Sequence, residues 1–552
     1  MNRPWLEAYP PGVPSEIDPD RYESLADLLQ SSFERNATHS AFVNLGQQMT
    51  FAEVDRLSRD FGAYIQTETT LQRGDRVAVM MPNLLQYPVA AFGILRAGFA
   101  VVNVNPLYTA RELEHQLTDS GAKVLLVLEN FASTAAQILD ATSIERVIIT
   151  RVGDHFSPVK RVLTNFVVKH VKHMVPSWRI DGTVDYRDAL EKGRRANFEP
   201  VAIRSSDTAF LQYTGGTTGV AKGAVLTHRN VVSNVLQAAA WTRPVVQGPG
   251  DLIVTPLPLY HIFSLTVNLF NFIEIGASNM LITNPRDVPG FIKQIKHARF
   301  SFITGVNTLF VALVHRPEFA DVDFSRFKGA MGGGMAVQRA VSDDWEAITG
   351  KPIIQGYGLT ETSPVICGNP LTATEFNGSV GVPLPSTEVA IFDEEGNQLP
   401  AGEIGEICAR GPQVMQGYWQ RPEATEEIMF GDGWLRTGDV GRMDEQGYFF
   451  IEDRLKDLII VSGFNVYPTE IEDVVVAHPG ILEAAVIGVP DESRGEAVKL
   501  FVVAKDPSLT AADIDAYCRE RLTGYKTPDH IEFRDDLPKS NVGKVLKREL
   551  RD

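Results

Sequence analysis

Cysteine pairs, signal-like termini and long apolar runs are all scarce in this chain of 552 residues. Its three cysteines, Cys367, Cys408 and Cys518, lie far apart with no Cys-x-x-Cys spacing. That pattern fits neither a disulfide framework nor a zinc site and favours a reducing compartment. The N-terminal segment carries charges and prolines where a secretory signal needs an apolar run. Since no apolar stretch reaches the roughly 18 residues of a spanning helix, we expect a cytoplasmic protein.

Basic residues are outnumbered by acidic ones, since the chain has 52 lysines and arginines and 69 aspartates and glutamates, which gives a net charge of -17. This balance argues against a general nucleic-acid binder, which would show a basic domain or stripe. One segment, residues 155–180, departs from the average: it has no carboxylate, and its apolar residues recur at helical spacing. Its basic residues are Lys160, Arg161, Lys169, Lys172 and Arg179. Two interpretations stay open for about 156–177, namely a surface helix packed on its own domain and a peripheral helix on the inner face of the cytoplasmic membrane.

An alternation of short β-branched runs and helical stretches fills most of the chain. Such runs stand at residues 76–81, 100–104, 124–128, 147–150, 252–256, 300–305 and 329–331. Buried continuous strands separated by helices are typical of an α/β architecture with mainly parallel sheets. Hairpin signals begin near Glu388, and a smaller α/β unit follows Asp453. We therefore predict an α/β protein with an N-terminal domain over 1–455, including a β-rich subdomain at about 385–452, and a C-terminal domain over 456–552.

The segment YTGGTTGVAKG, residues 213–223, combines glycines, threonines and one lysine. Its lysine does not stand at the spacing of a Walker loop, and apolar runs on both sides predict the order strand, loop, strand. Glycines allow successive backbone N–H groups to face an anion. A flexible linker is the alternative, but a linker does not need a strand on either side. The pattern indicates a phosphate-binding loop.

Six motifs in order resemble the adenylate-forming (ANL) superfamily, and within it the bacterial long-chain fatty-acyl-CoA ligases. They are YTGGTTGVAKGAVLTHRN (213–230), PLYH (258–261), QGYGLTE (355–361), GWLRTGD (433–439), DRLKDLIIVSG (453–463) and PKSNVGK (538–544). The resemblance implies two half-reactions. A fatty carboxylate attacks the α-phosphate of ATP to give acyl-adenylate and pyrophosphate, and coenzyme A then attacks the acyl carbonyl and releases AMP. It also implies Mg²⁺ and a small, mobile α+β C-terminal domain.

The resemblance further implies a set of site residues. Those implied in ATP binding are Thr214, Gly215, Gly216, Thr217, Thr218, Gly219, Lys222, Gly333, Gly334, Gln355, Gly356, Tyr357, Asp439 and Arg454. Those implied in catalysis are Lys544, Thr360, Glu361 and His261. Glu361 and Thr214 are implied as metal-binding residues. The implied hinge is Lys456, the coenzyme A side has Ser462, Gly463 and Phe464, and the acyl pocket has Tyr260, Leu265 and Gly305.

Two positions differ from long-chain members of the family. Leu265 stands where some of them carry a tryptophan that gates the acyl tunnel, and Ile460 stands where they have a lysine. Two alternatives to CoA ligation remain open at this point, and so does the oligomeric state. The acyl group could pass to a carrier protein, the chain could be a non-catalytic binder of fatty acid or nucleotide at a membrane surface, and it could form a homodimer.

Overall fold

The computed structural model describes residues 3–214, 221–462, 464–491, 494–540 and 543–551. The strands of the first half are β1 (Ser40–Asn44), β2 (Gln47–Thr50), β3 (Arg76–Met80), β4 (Ala100–Val104), β5 (Val124–Leu128), β6 (Arg146–Thr150), β7 (Val184–Asp185), β8 (Thr208–Thr214) and β9 (Lys222–Thr227). The helices there are α1 (Leu25–Asn36), α2 (Phe51–Glu68), α3 (Gln86–Arg96), α4 (Ala110–Ser120), α5 (Ala132–Ala136), α6 (Pro158–Phe166), α7 (Tyr186–Arg195) and α8 (His228–Thr242).

The middle of the chain adds a second series of elements. Its strands are β10 (Leu252–Thr255), β11 (Ser278–Leu281), β12 (Phe302–Gly305), β13 (Gly329–Gly332), β14 (Ile353–Gly358), β15 (Val365–Gly368) and β16 (Val382–Pro383). Its helices are α9 (Asn271–Ile275), α10 (Val288–Ile295), α11 (Asn307–Val314) and α12 (Arg339–Thr349). A π-helix, Ser264–Phe270, runs directly into α9.

The last part of the chain is richer in strands. They are β17 (Glu388–Phe392), β18 (Gly405–Arg410), β19 (Gly417–Tyr418), β20 (Met429–Phe430), β21 (Trp434–Met443), β22 (Phe449–Arg454), β23 (Ile459–Val461), β24 (Phe464–Val466), β25 (Ile481–Asp491), β26 (Gly495–Ala504) and β27 (His530–Phe533). The helices are α13 (Pro422–Glu426), α14 (Pro468–Val476) and α15 (Ala511–Arg519).

The described strands form four sheets. One has the order β19-β9-β8-β4-β3-β5-β6-β7, and a second has the order β16-β15-β14-β13-β12-β10-β11-β1-β2. Both are parallel in the middle and antiparallel toward an edge. The β-rich sheet, β17-β18-β21-β20 with β22 on β21, and the C-terminal sheet, β24-β23-β26-β25 with β27 on β26, complete the set. The chain changes from the β-rich sheet to the C-terminal sheet between Arg454 and Ile459.

The packing explains why the strands read as continuous apolar runs. All residues of β4 and β5 are buried, as expected for strands covered on both faces by helices. Several helices begin with a reciprocal capping box, which satisfies backbone N–H groups that the helix leaves unpaired. Thr109 and Glu112 form such a box at α4, and Thr227 and Asn230 form one at α8. The predicted α/β class is confirmed, with β4 and β5 at the bounds that the sequence indicated.

The basic segment is helical, but its apolar side chains do not pack on the domain. Helix α6 continues into a π-helix, Val167–Val171. The exposed fractions along this stretch are 81% for Val159, 65% for Val162, 61% for Leu163, 55% for Phe166, 60% for Val171 and 53% for Met174. Among the described residues, no helix is long and apolar enough to span a membrane. The segment is thus a surface helix whose contacts with the domain include polar ones, and these apolar side chains are left exposed.

Candidate active site

A row of glycines and one glutamine crosses the second sheet where its parallel strands end. Gly305 of β12 lies beside Gly332 of β13, and Gly332 lies beside Gln355 of β14. Ligands of open α/β sheets bind outside the carboxyl ends of the strands. Gly334 has a φ of +76°, a backbone conformation that favours glycine. A Cβ on Gly356 would meet Met331 Cε at 2.3 Å. Glycine is therefore favoured at position 356, because the Met331 side chain packs where a Cβ would stand.

Tyr357, Asp439 and Arg454 form a hydrogen-bonded cluster beside this row. The Tyr357 hydroxyl donates to Asp439 Oδ2 at 2.6 Å, and Arg454 Nε lies 2.8 Å from Asp439 Oδ1. The Asp439 side chain is 4% exposed. Burial and the Asp439 carboxylate raise the pKa of Tyr357 far above its usual value, so the hydroxyl stays protonated. Three residues predicted from separate motifs are thus brought together.

The glycine-rich segment closes a hairpin, as its flanking runs indicated. Strands β8 and β9 pair antiparallel, and Thr214 faces Lys222 across the hairpin. The predicted residues Gly215, Gly216, Thr217, Thr218 and Gly219 lie outside the described residues. Below the loop, the Tyr213 hydroxyl donates to Asp119 Oδ2 of α4 at 2.7 Å. The base of the loop is therefore fixed to a helix that the motif did not indicate.

Glu361 lies near the end of this hairpin that carries Lys222, and it accepts hydrogen bonds from a distant part of the chain. It belongs to a short 3₁₀-helix, Thr360–Thr362. Its Oε1 accepts a hydrogen bond from the Tyr418 hydroxyl at 2.6 Å, and its carbonyl accepts one from Met415 N at 2.8 Å. Lys222 Nζ lies 5.2 Å from the centre of the Tyr418 ring. The sequence motifs gave no role to Tyr418, and no spacing rule could have found it.

Lys544 reaches the cleft from the C-terminal domain. Thr308 Oγ1 donates to the Gly543 carbonyl at 3.3 Å, and a Cβ on Gly543, whose φ is +84°, would lie 2.4 Å from that hydroxyl. Within the described parts of the chain, the Lys544 ammonium has no carboxylate partner, whereas Lys539 and Lys547 pair with Glu483 and Glu472. Although the residue keeps accessible surface in the cleft, desolvation and the Arg454 cation lower its pKa to about 8.

His261 lies within electrostatic range of this lysine. Desolvation, with a smaller contribution from the Lys544 charge, lowers its pKa to about 4. The imidazole is therefore neutral at pH 7. Its backbone turn is fixed by Asn83, whose Nδ2 donates to the Thr255 and Leu257 carbonyls and whose Oδ1 accepts from Leu259 N. The motifs did not indicate Asn83, which comes from the loop between β3 and α3.

The residues expected in the acyl pocket lie in two settings. The Tyr260 carbonyl accepts a hydrogen bond from Gln212 Nε2 of β8 at 2.7 Å, which joins the two large sheets. Leu265 lies in the π-helix Ser264–Phe270 and has no exposed surface. A Cβ on Gly305 would meet the Phe310 ring at 2.7 Å. The structure thus places Leu265 inside the core rather than at an open surface, and its part in an acyl pocket stays a prediction.

The residues expected at the hinge and on the coenzyme A side follow the cluster residue Arg454 in the chain. Lys456 is exposed in the turn between β22 and β23, where Leu455 N donates to the Gly438 carbonyl at 3.0 Å. Ser462 has a φ of +53°, and Gly463 lies outside the described residues. Phe464 is 56% exposed and stacks on Tyr525, with ring centres 4.9 Å apart. Their assignment stays a prediction.

The family assignment follows from the sequence matches. The chain matches the family described as AMP-binding enzyme over residues 29–419 and the AMP-binding enzyme C-terminal domain over residues 470–544. The chain belongs to the AMP-binding enzyme family. Among the relatives of this AMP-binding enzyme, a protein of Yersinia pestis named long-chain-fatty-acid–CoA ligase is 56% identical over 552 residues. That match covers 100% of this chain and 98% of the relative.

Solved structures of one further family member resemble this AMP-binding enzyme to different degrees. ATP-bound MatB from Rhodopseudomonas palustris is 30% identical, with a TM-score of 0.82 over 95% of this chain and 98% of that one. Apo MatB gives a TM-score of 0.72. The two MatB structures match this chain at the same identity and coverage. The arrangement of this chain is the more similar to that of ATP-bound MatB.

Proposed function

We propose that the protein activates long-chain fatty acids with ATP and transfers the acyl group to coenzyme A, releasing AMP and pyrophosphate. The observation that carries this proposal is the 56% identity, over the full chain, to a curated long-chain-fatty-acid–CoA ligase. The site supports the same proposal. The β8–β9 hairpin, here called the phosphate hairpin, lies near the Glu361 carboxylate, and Lys544, which has no carboxylate partner among the described residues, is within electrostatic range of Arg454 and Asp439.

In the adenylation step, the chain has to bring a carboxylate against a polyanion. Thr214 and Lys222, at the mouth of the hairpin, would bind the β- and γ-phosphates, together with the loop between them. Tyr357 would stack on adenine beside Gly333 and Gly334, and Asp439 would accept hydrogen bonds from the ribose, with Arg454 next to it. Lys544 would neutralise the charge that gathers between the fatty carboxylate and the α-phosphate. A fatty carboxylate is already ionised at neutral pH, so neutral His261 acts through position rather than as a base.

The residues near the phosphate hairpin fit Mg²⁺. Glu361 and Thr360 lie on a 3₁₀-helix that contacts β8 and β9, the strands that end at Thr214 and begin at Lys222. Mg²⁺ prefers oxygen ligands from one or two carboxylates together with phosphates and water. Among the described residues, no cluster of three or more His, Cys, Asp or Glu side chains competes for a metal. When bound, the ion would neutralise phosphate charge. Glu361 and Thr214 would hold it.

The second half-reaction would use a different domain orientation. In the present arrangement Gly543, next to Lys544, accepts a hydrogen bond from Thr308 of the N-terminal part. Rotation about Lys456 would withdraw Lys544 and present the coenzyme A side around Ser462–Phe464 instead. The division into domains 1–455 and 456–552 is part of this proposal. The change of sheets between Arg454 and Ile459 supports it.

A pair of assays tests the proposed function. Purified protein should exchange pyrophosphate into ATP only when fatty acid is present, and should form thioester with coenzyme A across a series of acids of graded length. No exchange with saturating substrates would contradict the enzyme assignment and leave the non-catalytic binder. Normal exchange with transfer only to an acyl carrier protein would replace coenzyme A by a carrier as the acceptor.

We further propose that residues 156–177 bind the anionic inner face of the cytoplasmic membrane. The stripe of Val159, Val162, Leu163 and Phe166 follows helical i, i+3, i+4, i+7 spacing and is exposed. The helix is attached to the domain by polar contacts, for example Lys160 Nζ to the Leu45 carbonyl at 2.6 Å and Lys169 Nζ to Glu129 Oε1 at 2.7 Å. A local excess of positive charge on a chain of net charge -17 suits anionic lipid.

Substitution of the stripe tests this surface. Leu163→Glu/Phe166→Glu should weaken sedimentation with phosphatidylglycerol vesicles about tenfold or more, since it removes apolar contact and adds charge of the wrong sign. Leu107→Glu/Ile404→Glu is the matched control, because both residues are exposed and apolar but lie elsewhere. Unchanged vesicle binding, with conversion of a dimer to a monomer in sedimentation velocity, would instead make the stripe a homodimer interface.

A further inference from the structure

The segment around Tyr418 joins three parts of the site that lie far apart in the chain. Strand β19 extends the first sheet beyond the phosphate hairpin, with Gly417 facing Val225 and Tyr418 facing Ala224 of β9. Gln416 N donates to the Val225 carbonyl at 3.1 Å. The second strand of the hairpin, β9, begins at Lys222 and is therefore bordered by β19.

The Tyr418 side chain contacts two charged residues of opposite sign. Its hydroxyl donates to Glu361 Oε1 at 2.6 Å, a charge-assisted hydrogen bond. Its ring lies 5.2 Å from Lys222 Nζ, within the range of a cation–π contact. Among the described residues, Glu361 Oε2 accepts no hydrogen bond and stays available as a ligand. Tyr418 N donates to Thr425 Oγ1 at 2.9 Å, which holds the backbone of the tyrosine itself.

We propose that Tyr418 is a positioning residue for Mg·ATP, which orients the Glu361 carboxylate through its hydroxyl and the Lys222 ammonium through its ring. The inference rests on the proposed function, because it takes Glu361 as the metal-binding carboxylate. A carboxylate on a short 3₁₀-helix otherwise has rotational freedom, and a lysine on a hairpin end has four rotatable bonds. One side chain restrains both groups before nucleotide arrives, and such preorganisation reduces the entropy that binding costs.

The two contacts of Tyr418 can be removed one at a time. Tyr418→Phe deletes the hydroxyl and keeps the ring. The quantity to measure is the dissociation constant of Mn²⁺ in the presence of a non-hydrolysable ATP analogue, from the electron paramagnetic resonance of free Mn²⁺. It should rise about tenfold, which corresponds to the lower end of the free energy that a hydrogen bond to a charged group contributes. Tyr418→Leu also removes the ring and should weaken analogue binding a further threefold or so. Thioester formation from supplied acyl-adenylate, which needs no Mg·ATP, should be unchanged.

Two additional variants separate positioning from a general structural effect. Tyr9→Phe is the matched control, since it deletes a hydrogen bond of the same length, 2.6 Å, to the Pro383 carbonyl. Its Mn²⁺ binding should equal that of the wild type. The double variant Tyr418→Phe/Glu361→Ala should bind Mn²⁺ no more weakly than Glu361→Ala alone, because Tyr418 acts through Glu361.

Three results would overturn the inference. The first is a wild-type Mn²⁺ affinity in Tyr418→Phe. The second is a double variant in which the two single losses of Mn²⁺ affinity multiply. The third is a Tyr418→Phe protein that loses both half-reactions equally and has a lowered melting temperature. A wild-type protein that binds the analogue but no Mn²⁺ would instead remove Glu361 as the metal residue of the proposed function. A wild type that binds Mn²⁺ but makes no thioester would contradict the proposed function and leave the positioning role intact.

Discussion

Lys544→Ala is expected to slow acyl-adenylate formation by about 10²–10³-fold, the usual loss when one preorganised group that stabilises transition-state charge is removed. The ammonium has no carboxylate partner among the described residues, so the loss reflects chemistry in the cleft rather than a broken ion pair. Thioester formation from supplied acyl-adenylate should be retained, because the proposed rotation about Lys456 takes Lys544 out of the cleft. Single-turnover measurement of each half-reaction checks this split.

The control for this variant is Lys539→Ala in the same C-terminal loop. Lys539 Nζ pairs with Glu483 Oε2 at 2.7 Å, so its loss should lower stability but leave the two half-reactions in their wild-type ratio. Equal loss of both steps in Lys544→Ala would contradict the rotation.

The pH profile supplies a second readout for Lys544. Its pKa is lowered to about 8, so the required cation is present below that pH and is lost as the pH rises through it. The kcat/KM of adenylation should therefore fall above pH 8 in the wild type. Lys544→Arg should be slower but flat over the same range, because a guanidinium stays protonated.

Asp439→Ala should raise the KM for ATP about a hundredfold, since it removes a carboxylate proposed to accept the ribose hydroxyls. The same change leaves the Arg454 guanidinium and the Tyr357 hydroxyl without their common partner. Because Arg454 is only partly exposed, we expect the free energy of unfolding to fall by about 2–4 kcal/mol. Steady-state kinetics with varied ATP and chemical denaturation measure the two effects separately.

Asp251→Ala is the matched control for the Asp439 variant. Asp251 is also a buried carboxylate, with Lys328 Nζ 2.7 Å away and Ser301 Oγ at 2.6 Å. It precedes β10 and so lies at the opposite end of the strands from the cleft. Asp251→Ala should lose comparable stability with an unchanged KM for ATP. A similar rise in KM in both variants would mean that Asp439 acts only through the fold.

The sequence predicts local structure better than it predicts contacts between segments. Strands β4 and β5 could be bounded from the sequence because they are buried along their full length and therefore form continuous apolar runs. The hydrogen bond from Tyr418 to Glu361 depends on which strand adds to the edge of a sheet, and no local pattern carries that information. Helical spacing likewise identified the apolar stripe of α6, but it could not say whether another part of the chain covers it.

The pairing of β19 with β9 also bears on the order in which the protein folds. The phosphate hairpin, β8 and β9, can pair with β4 early in synthesis, whereas β19 leaves the ribosome only after the whole second sheet has been made. Until then the outer edge of β9 has no strand beside it, and an uncovered edge is prone to pair with other chains. Substitutions that weaken β19 should thus reduce the soluble yield at fast expression more than they reduce the stability of the purified protein.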